Sequence, residues 1–263
     1  MGKRIVALFS VLILLFSAVI WRLSWLSRKE DFAQAANQQS TYTLEVSQSR
    51  GMIYDCQGQS LVNDSFHYMA AVLPNNESAA TLRSQFASAD LWREKMNSRV
   101  PFLTEVNTDA VRGEGVEVFS VPDRYSMDYT APHIVGYVDA DGVGQTGIER
   151  IFNDFLKSVG EKVKVRYQID AMGRALSGNG IEILQEGNRS DGVVLTLYKG
   201  LQQACERILS GAEVNGAIVV MDLADGGLRA VASAPGFDPR NVAESMNNPD
   251  SPLVNRAFGA YAV

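Results

Sequence analysis

The reading of the fold starts at residues 216–233, G-A-I-V-V-M-D-L-A-D-G-G-L-R-A-V-A-S. Two short runs rich in β-branched residues flank Asp225-Gly226, a pair that tolerates the positive φ of a tight turn, so the stretch reads as a β-hairpin. Upstream, Leu201, Ala204, Cys205, Ile208 and Leu209 fall on one helical face, and Gly211 is placed to end that helix. Downstream come Pro235-Gly236-Phe237-Asp238-Pro239 and then Pro252-Leu253-Val254-Asn255-Arg256-Ala257-Phe258.

Helix, hairpin, Pro-rich loop and Asn255-Arg256-Ala257, in that order, resemble the opening of the transpeptidase domain of penicillin-binding proteins. In that family the acylated serine follows within about ten residues, on a Ser-x-x-Lys motif whose lysine works with it as one constellation. No serine in these 263 residues stands three before a lysine, and no Lys-Ser/Thr-Gly occurs. The expectation is a chain that stops before its nucleophile, with nothing to acylate.

Upstream, three further signatures carry the same resemblance. Gly192-Val193-Val194-Leu195-Thr196-Leu197 leads into Leu201-Gln202 as the family's entry to the transpeptidase domain does, which sets a boundary near residue 191. Arg124-Tyr125, then His133-x-x-Gly136-Tyr137, then Gly144-x-x-Gly147-Ile148-Glu149 match the non-catalytic pedestal of the class B proteins. Arg50-Gly51-Met52-Ile53-Tyr54-Asp55-Cys56-Gln57-Gly58 matches its R-G-x-I-x-D-R-x-G element, with Cys56 in place of the second arginine. Locally that element reads as strand, turn at Gln57-Gly58, strand. The structural signature is therefore Arg50, Gly51, Asp55, Gly58, Arg124, His133, Gly136, Gly147, Glu149, Asn255 and Arg256. No catalytic, cofactor or metal residue is assigned. For Arg50 and Asp55 a structural role outweighs catalysis, because a strand–turn arginine is more often an ion-pair partner. The opposite charges of Arg50 and Glu149 predict such a pair, with Glu149 in the first turn of its helix. For His133 a structural role outweighs proton transfer, because no candidate nucleophile neighbours it.

Residues 142–147 also spell a literal G-x-G-x-x-G after the strand-like run His133–Val138. A helix follows, with Ile148, Ile151, Phe152, Phe155, Leu156 and Val159 on one face, then a strand over 163–169 ending at Asp170. The dinucleotide reading fails on two counts. Asp139-Ala140-Asp141 separates the strand from the glycines, and two carboxylates there would repel a pyrophosphate. An EF-hand starting at Asp139 fails as well, since Val143 and Arg150 occupy ligand positions.

At the N-terminus, residues 5–21 are apolar except for Ser10 and Ser17, and the run resumes past Arg22 to Leu26. At 1.5 Å per residue, 17 to 22 residues reach about 26–33 Å, one hydrocarbon core. A cleaved signal peptide with Ala33-Gln34-Ala35 as its site is disfavoured, because the run is too long and Arg28-Lys29-Glu30-Asp31 intervenes. Residues 31–40 suit a helical stalk, and Tyr42–Val46 alternates as a strand. A helix is expected over 78–97, with Leu82, Phe86 and Ala89 in phase, and a turn and strand over 113–120. Strands over 163–169 and 180–185 surround a turn at Ser177-Gly178-Asn179-Gly180.

From Glu30 onward, 19 Lys/Arg face 30 Asp/Glu, a net of −11, which argues against a nucleic-acid partner. Cys56 and Cys205, with only His67 and His133 beside them, make no zinc pattern. Two separate thiols are the plainer reading over an extracytoplasmic disulfide.

The reading is α+β: residues 1–30 a cytoplasmic stub and single transmembrane helix, 31–190 an elongated pedestal with a small α/β head near 75–120, and 191–263 the start of a transpeptidase domain. The resemblance implies the front half of a bacterial D,D-transpeptidase, its bulk outside the membrane, with no metal or cofactor. In the full-length protein, peptidoglycan stem peptides and β-lactams would meet an activated serine, and membrane partners would come from the cell-wall machinery. The rival is a non-enzymatic, membrane-anchored scaffold for the same machinery.

Overall fold

The computed structural model describes residues 2–27, 41–84, 89–98, 100–170, 172, 176, 181–212 and 214–259. The expected stalk, the Ala33-Gln34-Ala35 site, Phe86 and the turn at 177–180 lie outside these residues. The chain divides into a unit of residues 1–43 with 166–182 and a larger one of residues 44–165 with 183–263.

The smaller unit contains helix α1 (Gly2–Ser27), of which Arg4–Trp25 is long and apolar enough by length and composition to cross a membrane. Strand β1 (Thr41–Gln48) begins in this unit and continues into the larger one. It forms a three-stranded sheet, in the order β1-β6-β7, with strands given below.

Strand β2 (Met52–Tyr54) is followed by a head: β3 (Ser65–Val72), helices α2 (Asn76–Leu82) and α3 (Ala89–Asn97), β4 (Phe102–Val106) and β5 (Val116–Asp123). The antiparallel order is β4-β3-β5, and Ala70, Val72, Leu82, Phe102 and Val116 make its core. The expected 78–97 helix is two helices. The first opens on a capping box in which Asn75 Oδ1 accepts from Ser78 N (2.7 Å) and Ser78 Oγ from Asn75 N (2.9 Å).

The run 133–138, expected as a strand, instead contributes a helical turn, α4 (Pro132–Val135). Pro132 suits the first helical position, and Gly136, at φ 86°, turns the chain away immediately afterwards. The single helix expected over 148–159 is two, α5 (Gly147–Ile151) and α6 (Asn153–Val159), with Phe152 (φ −104°, ψ 22°) between them. The break reverses the expected burial. Ile151 is 74% exposed and Phe155 45%, while Glu149 is fully buried and only Leu156 of the apolar stripe is fully enclosed.

Strands β6 (Lys162–Gln168), β7 (Glu182–Glu186) and β8 (Gly192–Val194) follow, then α7 (Lys199–Ala212) and the hairpin β9 (Gly216–Met221) and β10 (Leu228–Ala234), with a helical turn α8 (Ala243–Met246). Strand β8 pairs parallel with β2, Ile53 opposite Val193. The hairpin has the expected antiparallel register, but its connection runs over residues 222–227, with only Gly226 at positive φ (71°). Helix α7 continues through Gly211, and Ile208, expected in its buried face, is 62% exposed. Gln202 is buried instead, because its amide bonds both backbone groups of Val231 (Oε1 accepts from N at 2.7 Å, Nε2 donates to O at 2.9 Å). It satisfies the side of β10 that faces away from β9.

Residues on both sides of position 191 share one core: Ile53, Leu61, Val62, Val135 and Leu156 with Leu197 and Val231. Ile53 is fully buried at its centre, and truncating such a side chain to alanine costs about 2–5 kcal/mol.

Candidate functional site

Glu149, in the first turn of α5, is the centre of a buried charge knot. Arg50 donates from Nε to Glu149 Oε2 (3.0 Å), with Nη2 2.9 Å from the same oxygen. Arg124 donates from Nε to Oε1 (2.6 Å), and its Nη2 makes an ion contact at 2.5 Å. Tyr125 also donates its hydroxyl to Oε1 (3.3 Å). Burial first, then the Glu149 charge, pushes that phenol far above its ordinary range, so it stays a donor. Each guanidinium also reaches beyond the carboxylate. Arg50 Nη1 reaches the Gly142 carbonyl (2.7 Å) and Asn153 Oδ1 (3.2 Å), and Arg124 Nη1 reaches the Gly51 carbonyl (2.7 Å). Arg50 and Glu149, 99 positions apart, therefore form the ion pair that their charges and placement suggested; Arg124 is the third member.

Glycines let the backbones meet around this knot. Gly136 and Gly147 both have positive φ (86° and 58°). A Cβ on Gly136 would strike the Thr146 carbonyl, and one on Gly147 the Ile134 carbonyl. Gly51 has no room for a Cβ against Val159 and Leu156.

The G-x-G-x-x-G loop is closed on itself. Gly142 N donates to the Asp139 carbonyl (3.0 Å), Val143 N to Asp139 Oδ1 (2.8 Å), Gly144 N to Asn153 Oδ1 (3.0 Å) and Gln145 N to the Tyr137 carbonyl (2.8 Å). Amides spent this way cannot cradle a phosphate.

Asp55 sits at the other end of β2 from Arg50 and is fully buried. Its Oδ1 accepts from the backbone N of Gln57 and Gln59 (2.8 Å each), closing the turn in which Gly58 has φ 79°. Its Oδ2 accepts from Lys199 N (3.0 Å), the first residue of α7. Asp55 is thus an N-terminal cap supplied from 144 positions away. Burial pushes its carboxyl up, but the donors at Lys199, Gln59 and Gln57 outweigh that and leave it below the usual range.

His133 makes a third link. Its Nε2 meets the Pro252 carbonyl at 2.7 Å, and its ring lies edge-on to Phe237 (5.1 Å, 88°). Burial lowers its pKa, partly offset by that carbonyl and reinforced by Arg256. In the Asn-Arg-Ala stretch, Asn255 Oδ1 accepts from Ala257 N (3.0 Å), and Arg256 N donates to Ser233 Oγ (3.0 Å). Arg256 Nη1 donates to the Ser251 carbonyl (3.3 Å).

Among the described residues nothing assembles as a nucleophile with its base. Ser65 Oγ (3.0 Å) and His67 Nδ1 (2.7 Å) both bind Asp123, so the serine is bonded to the carboxylate and not to the imidazole. No group of three or more His, Cys, Asp or Glu there could hold a metal. Cys56 is exposed and Cys205 buried, both free thiols.

No protein-family model matches the chain. Among curated proteins, the peptidoglycan D,D-transpeptidase MrdA of Escherichia coli K12 is 28% identical over 98% of this chain and 49% of its own length. Along nearly its whole length the chain is thus similar to peptidoglycan D,D-transpeptidases, proteins of the penicillin-binding kind. The probable transpeptidase PbpC of Pseudomonas aeruginosa is 26% identical over 91% of the chain and 46% of its own length. The chain thus spans about half the length of the curated relatives it matches. A solved peptidoglycan synthase complex contains a chain with the same fold (TM-score 0.53, 21% identity, 95% of this chain and 51% of that one). Penicillin-binding protein 2X of Streptococcus thermophilus does too (0.53, 19%, 83% and 39%).

Sequence reasoning missed one more buried carboxylate, Glu161. It pairs with Arg189 and Gln185, and Arg189 Nη2 reaches the Ser120 carbonyl (2.8 Å). Its lysine-rich strand context reads as solvated surface, so only the approach of 185–189 reveals the partners.

Proposed function

We propose that this chain is the anchoring and pedestal portion of a class B D,D-transpeptidase, joined to the first helix and hairpin of its catalytic fold. Residues 1–30 hold it in the membrane, 31–190 form the pedestal and 191–263 begin the transpeptidase domain. The bulk of the chain stands outside the membrane. The match to MrdA along almost the whole chain carries this reading. In the whole protein a serine would attack D-Ala-D-Ala of a stem peptide, expel D-Ala and pass the acyl group to an amine. β-Lactams would acylate the same serine, and cell-wall synthesis proteins would meet it at the membrane.

Within that reading, Arg50, Glu149 and Arg124 tie the pedestal strands together, while Asp55 and His133 fasten the pedestal to α7 and to the Asn-Arg-Ala stretch. These 263 residues contain no Ser-x-x-Lys, so they anchor and position but do not acylate. Incubation with a fluorescent penicillin followed by a denaturing gel is expected to show no labelled band. A band competed away by unlabelled penicillin would overturn the assignment. Extraction from membranes should need detergent, and a soluble product beginning at Ala36 would replace the anchor with a cleaved leader.

A further inference from the structure

We propose that the cavity between the C-terminal half of α7 and the turn after β10 binds an aliphatic primary ammonium group. It rests on the cavity itself and not on the transpeptidase reading. The space is about 500 Å³ and is lined by the apolar Pro132, Leu209, Val214, Ala234 and Pro235. Glu206 and Tyr129 line it as well, with Ser210 and Asn215. A second hollow of about 500 Å³ shares Tyr129, Glu206 and Ser210 in its lining.

Glu206 is the unusual group. Its Oε1 accepts from Gln202 Nε2 (2.8 Å) and Ala131 N (2.9 Å), which fixes the carboxylate. Both donors are neutral, Oε2 makes no hydrogen bond, and no cation pairs with it among the described residues. Burial pushes its carboxyl up, and the two donors offset this only in part. Tyr129 senses the same field: burial, then the charges of Asp238 and Glu206, push its phenol up against the opposing pull of Arg240. Asp250 adds negative charge at the rim of the first hollow, and no cation lines it; Arg207 lines only the second.

A half-buried carboxylate without a counter-ion is costly, and an incoming cation relieves that cost. An ammonium on a short alkyl stem matches this lining: Glu206 Oε2 for the charge, the Tyr129 ring for a cation–π contact, and Leu209 and Val214 for the stem. A neutral alcohol of the same length would satisfy only the apolar lining.

The test uses saturation-transfer NMR on the full chain in deuterated detergent, with n-butylammonium as probe and n-butanol as its neutral counterpart. Saturable binding of n-butylammonium is expected, with n-butanol at least tenfold weaker, since a charge-assisted hydrogen bond is worth about tenfold or more. Glu206→Gln keeps an acceptor for Ala131 N but should lose about tenfold in affinity. Tyr129→Leu should lose about three- to fivefold. Ser210→Lys, at an exposed position on the shared rim, leaves Glu206 and its partners intact and should abolish binding by placing its own ammonium in the site. Glu244→Gln, an exposed acid elsewhere, should change nothing. Equal binding of the two probes, no saturable binding, or equal effects of the Glu206 and Glu244 variants would overturn the proposal. Full affinity in a folded Ser210→Lys variant would do the same.

Discussion

Replacing Glu149 with glutamine removes the only anion from a buried cluster that also holds two guanidiniums. Side-chain exposures are 0% for Glu149, 8% for Arg50 and 12% for Arg124, so none of the three can turn out to water cheaply. The three formal charges sum to +1, and the variant raises that to +2 with no counter-ion. Removing one partner of a buried pair costs about 3–5 kcal/mol. With a urea slope of about 2 kcal/mol per molar, the midpoint should fall by roughly 1.5–2.5 M. The shared geometry predicts an asymmetry that a simple pair would not show. Arg50→Met still leaves Glu149 facing Arg124, and its cost is mainly the lost bonds to the Gly142 carbonyl and Asn153, about 1–3 kcal/mol. Urea unfolding of the full chain in detergent, followed by circular dichroism, measures both variants and their double mutant. The coupling between them should be strong, and Arg50→Met/Arg124→Met/Glu149→Gln should recover much of the loss. If Glu149→Gln cost no more than Arg50→Met, or the two effects simply added, the shared-anion argument would be refuted.

Asp55→Ala should destabilise the chain by about 1–2 kcal/mol through the lost cap on α7 and raise hydrogen exchange at Lys199. Because the folded-state pKa of Asp55 is lowered, its charge stabilises fully above the ordinary carboxylate range. The difference between wild type and Asp55→Asn should therefore shrink as pH falls below about 4, and a constant difference would contradict the cap. His133 also loses stability with acid, but because the fold disfavours its charged form: its folded-state pKa is lowered, so the unfolded chain takes up the proton first. Stability should fall as pH drops from about 6.5 towards that lowered value, and His133→Gln should flatten this slope in a thermal-unfolding series. An unchanged slope would mean the imidazole is solvated.

Much of the local architecture was legible because periodicity, glycine and proline are local signals. The hairpin at 216–234, the helix over 199–212, β1 and the apolar N-terminal helix each follow from side chains a few positions apart. The family signatures also singled out Arg50, Arg124 and Glu149, and opposite charges on two of them suggested a pair. Where local patterning misled, a distant backbone or charge had the stronger claim. The 148–159 stripe reads as a buried face, yet Glu149 is enclosed and Ile151 exposed, because two guanidiniums from residues 50 and 124 reach the carboxylate and fix which face turns inward.

What the sequence by itself determined was the terminal hairpin and the helix before it, the apolar N-terminal helix, several of the strands, and which family motifs occur in which order. Tertiary structure alone decided that Asp55 caps a helix 144 positions away, that Gln202 completes the bonding of Val231, that Glu161 finds Arg189, and that Glu206 stands unpaired beside a cavity. The physical reason is common to the first three, and Glu206 is the case in which, among the described residues, the fold pairs no cation with the carboxylate. A buried polar group is defined by its partners, and a desolvated carboxylate or amide takes whichever complementary group the fold brings within about 3 Å, regardless of the intervening chain.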